Sequence, residues 1–158
     1  MNRENKHTCC FIGHRTIRET NELKMKLRKT MEDLIVRERV DTFLFGRKSR
    51  FEGLCLELVT EIQKIYPHSR RVYVRADFPI IREEYKAYLL ENYEETYYPA
   101  SLHAGKAVYV ERNREMIDNS HFCIIYYDEQ QFPDNRKSGT AIALAYARKR
   151  GKRIIPVP

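Results

Sequence analysis

Short apolar runs and longer amphipathic stretches alternate along the first half of the chain. The runs at residues 8–12, 42–45 and 71–75 are rich in strand-forming residues and have the length of buried strands. Between them, apolar residues recur at intervals of three, four and seven, which predicts helices with one buried face. The pattern therefore predicts the order β-α-β-α-β and a parallel sheet with right-handed crossovers.

Capping and breaking residues set the expected helix ends. Thr16 and Glu19 have the spacing of a capping box, so the first helix is expected over about residues 17–39. The second helix carries its apolar stripe from Leu54 onward and is expected to end before Pro67.

The middle of the chain is less regular. Residues 81–90 predict a helix, and an irregular tyrosine-rich segment follows it. Residues 107–110 are interpreted as a short strand or an extended lead-in, and residues 112–118 as a short helix. The pattern does not fix the role of the tyrosine-rich segment, residues 85–98.

The last part of the chain has the pattern of one parallel β-loop-α-β unit. An apolar run at residues 121–127 is followed by a polar loop, a helix that starts at Ser138-Gly139-Thr140, and a final apolar run at residues 154–155. Together the elements predict an α/β fold with a Rossmann-like, three-layer α/β/α architecture. We expect a mostly parallel sheet of about five strands in the order 3-2-1-4-5, formed by residues 1–158 as a single domain.

Such a sheet binds ligands at the carboxyl ends of the strands, beside the point where the strand order reverses. Three loops are expected to meet there, after the first, second and fourth strands, and each carries glycine or a donor suited to phosphate. Two polar residues at the start of the 112–118 helix reach the same edge in this interpretation. The candidate ligand-binding residues are Gly13, His14, Arg15, Gly46, Arg50, Arg112, Asn113, Ser138, Gly139 and Thr140.

Each of these signals also has a purely structural interpretation. Gly13 is then a turn glycine, Ser138 an ordinary N-cap, and Arg112 a surface residue in an ion pair. Likewise, the tyrosines at positions 93, 97 and 98 either stack on a base or cover the edge of the sheet.

Composition narrows the function classes. The chain has a net charge of +7, which invites nucleic-acid binding, although its basic residues are interspersed with acidic ones on the predicted helices. No apolar run approaches the ~20 residues of a membrane helix, and no signal peptide precedes the first strand, so we expect no membrane partner and a cytoplasmic protein. The four cysteines are expected to be free buried thiols.

Several chemistries have no motif in the sequence. The histidines and cysteines lack metal-ligand spacing, so no metal and no cofactor are predicted. The motifs GxSxG, GxxxxGK[ST] and GxGxxG do not occur, which removes the common hydrolase, ATPase and dinucleotide fingerprints.

Four segments resemble the YpsA-like branch of the SLOG superfamily, whose Rossmann-like domains include the DprA/Smf DNA-binding proteins and the LOG phosphoribohydrolases. The resemblance covers nearly the whole chain and implies a nucleotide or nucleotide-derived ligand at the carboxyl ends of the strands. The segments are residues 11–15, 112–118, 137–140 and 146–152.

The chain departs from these families at three points. Thr16 replaces the usual proline, the loop after the second strand is not glycine-rich, and the LOG catalytic glutamate has no counterpart after Thr140. Only Glu52 and Glu115 remain as weak catalytic candidates.

Three hypotheses remain open. The first is binding, as a sensor or store, of a nucleotide-derived small molecule, with a homo-oligomer possible. The second is hydrolysis of a nucleotide N-glycosidic bond, which needs a general acid or base near the ribose. The third is DprA-like binding of single-stranded DNA through Arg47, Lys48, Arg50 and the tyrosines.

Overall fold

A six-stranded parallel sheet forms the centre of the protein. The structure is a computed structural model and describes residues 6–46, 49–103, 105, 107–130 and 138–158. The strands are β1 (Thr8–Gly13), β2 (Thr42–Phe45), β3 (Arg70–Val74), β4 (Glu95–Tyr97), β5 (Phe122–Tyr126) and β6 (Arg153–Val157). They lie in the order β4-β3-β2-β1-β5-β6, so the chain changes direction across the sheet between β1 and β5.

Helices cover both faces of the sheet and complete the predicted three-layer, Rossmann-like architecture. One buried cluster joins the helices Asn21–Arg37 and Arg50–Ile62 and the end of the helix Glu83–Leu89 to one face. A second cluster joins the helices Val108–Asp118 and Gly139–Lys149 to the other face. The four cysteines are buried free thiols, as predicted. Within the described ranges, no helix is long and apolar enough to span a membrane. The helices are α1 (Asn21–Arg37), α2 (Arg50–Ile62), α3 (Glu83–Leu89), α4 (Val108–Asp118) and α5 (Gly139–Lys149).

The sheet has one strand more than the sequence predicted. The expected order 3-2-1-4-5 corresponds to β3-β2-β1-β5-β6, and the additional strand β4 extends this sheet beyond β3. It lies in the tyrosine-rich segment, where no apolar period marks a strand. Its position is fixed by pairing with β3 and by Glu94, whose carboxylate accepts hydrogen bonds from the backbone and side chain of Arg71.

Two predicted boundaries were wrong. The segment 107–110 is not a strand, because Val108 begins α4 and is buried in the first turn. Helix α1 begins at Asn21 and is capped by Thr20, whose Oγ1 accepts from the Leu23 N–H at 3.1 Å, so Thr16 is not its cap.

Two glycines let helices pack closely on the carboxyl edge of the sheet, which we define as the residues that directly follow the strands together with the last residue of β1. A Cβ on Gly13 would lie 2.3 Å from the ring of Phe51 in α2. A Cβ on Gly46, just after β2, would lie 2.7 Å from both Arg112 Nε and Met116 Sδ in α4. The distance of both helices from the sheet therefore requires glycine, which has no side chain, at these two positions.

We expect Gly13→Ala to destabilise the protein by about 1–3 kcal/mol, because the added methyl group forces α2 away from β1. Urea unfolding measures the change. The matched control is Gly139→Ala, where a Cβ meets no atom within 4 Å. An unchanged unfolding midpoint for Gly13→Ala would show that the close approach to Phe51 does not constrain the fold.

Candidate functional site

His14 connects the two strands between which the strand order reverses. Its imidazole is only 3% exposed, and its Nε2 accepts a hydrogen bond from the backbone N–H of Asp128 at 2.9 Å. The ring also contacts Tyr126 and Tyr127. Burial lowers the pKa of His14, and the nearby Asp128 carboxylate opposes that change in part. His14 is therefore a neutral clamp between the exits of β1 and β5, with its proton on Nδ1.

The start of α2 is held against the carboxyl edge by buried polar contacts. Ser49 caps the helix, and its Oγ accepts from the Glu52 N–H at 3.1 Å. Glu52 is 5% exposed and its Oε1 accepts from the Gly46 N–H at 2.7 Å. The carboxylate of Glu52 thus holds the residue that follows β2 against α2. This structural role could not be predicted from the sequence.

Arg15 and Arg50 lie at the same junction, but the side chain of Arg50 is already engaged. The backbone N–H of Arg50 donates to the Arg15 carbonyl at 2.9 Å. The Arg50 guanidinium binds both carboxylate oxygens of Glu19, with its Nε at 2.7 Å from Oε2. This contact also lowers the pKa of Glu19. A phosphate would have to displace this pair, which makes Arg50 a weaker anion site than its sequence suggests.

Arg112 is a buried cation at the ends of β2 and β3. Its side chain is 2% exposed, and among the described residues its Nε and Nη2 have no hydrogen-bond partner. Its Nε faces the vacant side-chain position of Gly46. Burial and the neighbouring Tyr85 raise the pKa of Tyr73 to about 12, and Arg112 opposes this rise. An anion bound at this point would satisfy donors that the described residues leave unused.

One exposed aromatic side chain lies beside this cation, and a second lies in the loop after β3. The ring of Tyr109 stands 5.5 Å from the Arg112 guanidinium carbon, and its hydroxyl donates to Asp77. Arg75 donates to the carbonyls of Phe78 and Pro79 at 3.4 Å each, which shapes the loop after β3. Phe78 is 60% exposed and Tyr109 is 48% exposed. Neither residue was among the predicted site residues, although the apolar run Phe78-Pro79-Ile80 was a usable signal for Phe78.

The helix start at Ser138-Gly139-Thr140 behaves as an ordinary cap. Ser138 Oγ accepts from the Ala141 N–H at 3.0 Å, and Thr140 is buried. Gly139 is exposed and faces open space. The prediction included Lys137 in this turn, and Arg47 and Lys48 in the loop after β2; all three lie outside the described residues.

The remaining candidates are separated from the Arg112 donors or engaged elsewhere. Asn113 is partly exposed on α4, one position after Arg112. The carboxylate of Glu115 accepts from Asn119 and Ser101 at 3.0 Å each. Neither Glu52 nor Glu115 is therefore arranged as an evident general acid or base.

Two tyrosines of the tyrosine-rich segment pack on the faces of the sheet, which agrees with the structural interpretation of these residues and not with base stacking. Tyr93 packs between Phe45 and Tyr73, with ring centroids 5.9 and 5.2 Å away. Tyr97 lies in β4 and packs against the second buried cluster. These rings belong largely to the core, in contrast to Phe78 and Tyr109.

No family model and no curated protein matches the sequence. Among solved structures, the chain is similar to DNA processing protein A from Helicobacter pylori, described for its single-stranded DNA binding mode. The TM-score is 0.61 at 18% identity, and the match covers 98% of this chain and 66% of that one. The likeness shows a shared Rossmann-like α/β fold. The YpsA-like branch remains a prediction.

The His14 clamp predicts a stability that falls with acidification. Because the folded-state pKa of His14 lies below the unfolded value of about 6.5, its contribution is present above that pH and is lost as the pH falls through the folded pKa. We expect the thermal midpoint to drop less between pH 7.5 and 5.5 in His14→Gln than in the wild type. Burial and Arg153 also lower the pKa of His121. The comparison is therefore made between two proteins that both carry His121→Gln, one with His14 and one with His14→Gln. Equal pH dependence in the two proteins would contradict the clamp.

Proposed function

We propose that this chain binds single-stranded DNA along its carboxyl edge, with one backbone phosphate held by Arg112. The observation that carries the proposal is the buried guanidinium of Arg112, whose Nε and Nη2 have no hydrogen-bond partner among the described residues. Burying a cation without an anion costs free energy that a fold does not keep without reason. A phosphate oxygen supplies the missing charge and acceptors.

The surface beside Arg112 supports a nucleic-acid strand as the source of this phosphate. Tyr109 exposes its ring next to the proposed phosphate, and Phe78 exposes its ring in the loop after β3, so that bases of a flexible strand can stack on either ring. The net charge of +7 favours a polyanion over a single small anion. The solved neighbour from Helicobacter pylori, described for binding single-stranded DNA, adds an example of such binding on the same fold.

A nucleotide-derived small molecule is the second candidate. A pocket of about 220 Å³ opens at the point where the strand order reverses, and Thr16, Arg18 and Asp128 contribute to its wall. This is the position where open α/β sheets commonly hold small ligands. Comparing the affinities for mononucleotides, NAD and ADP-ribose with those for oligonucleotides separates the two candidates. Only a strand increases its affinity through the phosphates of successive nucleotides.

Hydrolysis of a glycosidic bond is less well supported. It needs a carboxyl group free to exchange a proton with the substrate. Glu52 instead holds the Gly46 peptide, and Glu115 is turned to Ser101 and Asn119. We therefore propose binding without turnover.

Replacing Arg112 tests the phosphate directly. We expect Arg112→Leu to weaken binding of an oligothymidine by about 10- to 150-fold, the equivalent of a charge-assisted hydrogen bond of about 1.5–3 kcal/mol. Stability should stay the same or rise, because an apolar residue replaces an unpaired buried charge. Fluorescence anisotropy and urea unfolding measure the two effects.

Arg114→Leu is the matched control, since Arg114 lies on the same helix but stacks on Tyr146, 5.3 Å from its ring. We expect this variant to bind oligothymidine nearly as the wild type does. In Arg112→Leu, the slope of log affinity against log salt should become shallower by about 0.7, the value for one phosphate on a single strand. An equal loss of affinity in the two variants would show that Arg112 contributes only through its charge and does not hold a phosphate.

Replacing Phe78 tests base stacking. We expect Phe78→Ala to lose about 1–3 kcal/mol of binding free energy for oligothymidine, the range for one base on an aromatic ring. Folding stability should hardly change, because the side chain is 60% exposed. Met25→Ala, which truncates a side chain 71% exposed on α1, serves as the control. Unchanged affinity in Phe78→Ala would remove this loop from the interface.

A further inference from the structure

A second pocket lies between α2 and the residues that end α3, on the face of the sheet opposite α4 and Arg112. It has a volume of about 290 Å³, near the lower end of the range for small-molecule sites of about 300–1,000 Å³. Its wall combines aromatic, apolar and hydrogen-bonding side chains. The wall includes Glu52, Gly53, Leu56, Tyr88, Asn92 and Tyr93.

Gly53 is the feature that singles out this pocket. It lies within the first turns of α2, where glycine is the least favourable residue after proline. Packing does not explain it, since a Cβ there would have its nearest neighbour, Arg50 Nη1, at 3.8 Å. This differs from Gly13 and Gly46, which neighbouring side chains leave no room to replace. The glycine keeps space open in the pocket at a cost to the helix.

The wall chemistry matches a flat ring that carries N–H donors. Tyr88 and Leu56 offer apolar surface, and Tyr93 is held in place by Phe45 and Tyr73. The carboxylate of Glu52 and the amide oxygen of Asn92 are acceptors, and a carboxylate repels a second anion. A phosphate is therefore unsuited to this pocket, whereas an amino group on a ring is suited to it.

Gly46 lies between Glu52, which lines the pocket, and Arg112, which is proposed to hold the phosphate. The Gly46 N–H donates to Glu52 at 2.7 Å, and the vacant side-chain position of Gly46 faces Arg112. We infer that the pocket between α2 and α3 holds one unstacked nucleobase with an exocyclic amino group, taken from the strand whose phosphate lies on Arg112. This inference rests on the proposed function and adds a base preference to it.

Filling the pocket from Gly53 provides the test. Oligocytidine and oligothymidine of equal length are titrated against the wild type, Gly53→Phe and Gly53→Ala. We expect the wild type to prefer oligodeoxycytidine by at least about fivefold. Gly53→Phe should lose this preference and keep its affinity for oligothymidine, while Gly53→Ala, which adds a single methyl group, should lower the preference by a smaller factor. Tyr88→Ala removes one wall of the pocket by a different route and should also lower the ratio.

A second arm uses deoxycytidine and thymidine, which carry no phosphate, with binding observed by saturation-transfer NMR. Deoxycytidine should bind the wild type and Arg112→Leu, and should not bind Gly53→Phe. If oligonucleotides bind but the wild type shows no preference, or Gly53→Phe keeps it, the pocket inference is wrong and the proposed function stands. If no oligonucleotide binds while deoxycytidine does, the proposed function fails and the pocket retains a ligand.

Discussion

The carboxyl edge of this sheet depends on the close approach of two helices to two glycines. α2 passes over Gly13 with Phe51, and α4 passes over Gly46 with Arg112 and Met116. A side chain at either glycine would push a helix outward and separate the groups that now meet there. Because the two helices lie on opposite faces of the sheet, Gly46 has the Glu52 carboxylate on its N–H and the Arg112 guanidinium against its Cα. The geometry of the candidate site therefore follows from packing before any ligand is considered.

The same packing explains why the polar residues of this edge divide into two groups. His14, Ser49 and Glu52 are buried and bind backbone or side-chain groups, so they hold the loops in place. Arg112 is equally buried, but two of its nitrogen atoms have no partner among the residues that the structure describes. A hydrogen-bonded buried group stabilises the fold, whereas an unsatisfied one weakens it. This contrast is why Arg112, and not the other three residues, is proposed to bind a ligand.

The sequence predicted the architecture well because the strands and helices have strong periods. Where the hydrophobic period is weak, contacts between distant residues determine which element forms. β4 forms because Glu94 and the backbone of β3 fix a segment of three residues, and α4 begins early because Val108 is buried. The sequence also predicted that His14, Gly46 and Arg112 lie at the carboxyl ends of the strands, and the structure places them there. It did not show that Glu19 pairs with Arg50, or that Gly13 is needed by Phe51, since these contacts join residues distant in sequence.

The groups at this edge lie at different depths below the surface, and this difference favours one kind of ligand. Arg112 is 2% exposed, while Tyr109 stands at the surface beside it and Phe78 is exposed in the loop after β3. A ligand that satisfies both must reach inward with an anion and lie outward with flat apolar rings. A free phosphate meets only the first requirement, and an apolar peptide meets only the second. A nucleotide meets both, and a single strand of nucleic acid meets them repeatedly, because each unit carries a phosphate and a base on a flexible backbone. The net charge of +7 then acts over a longer range, since it attracts a chain of phosphates more strongly than one.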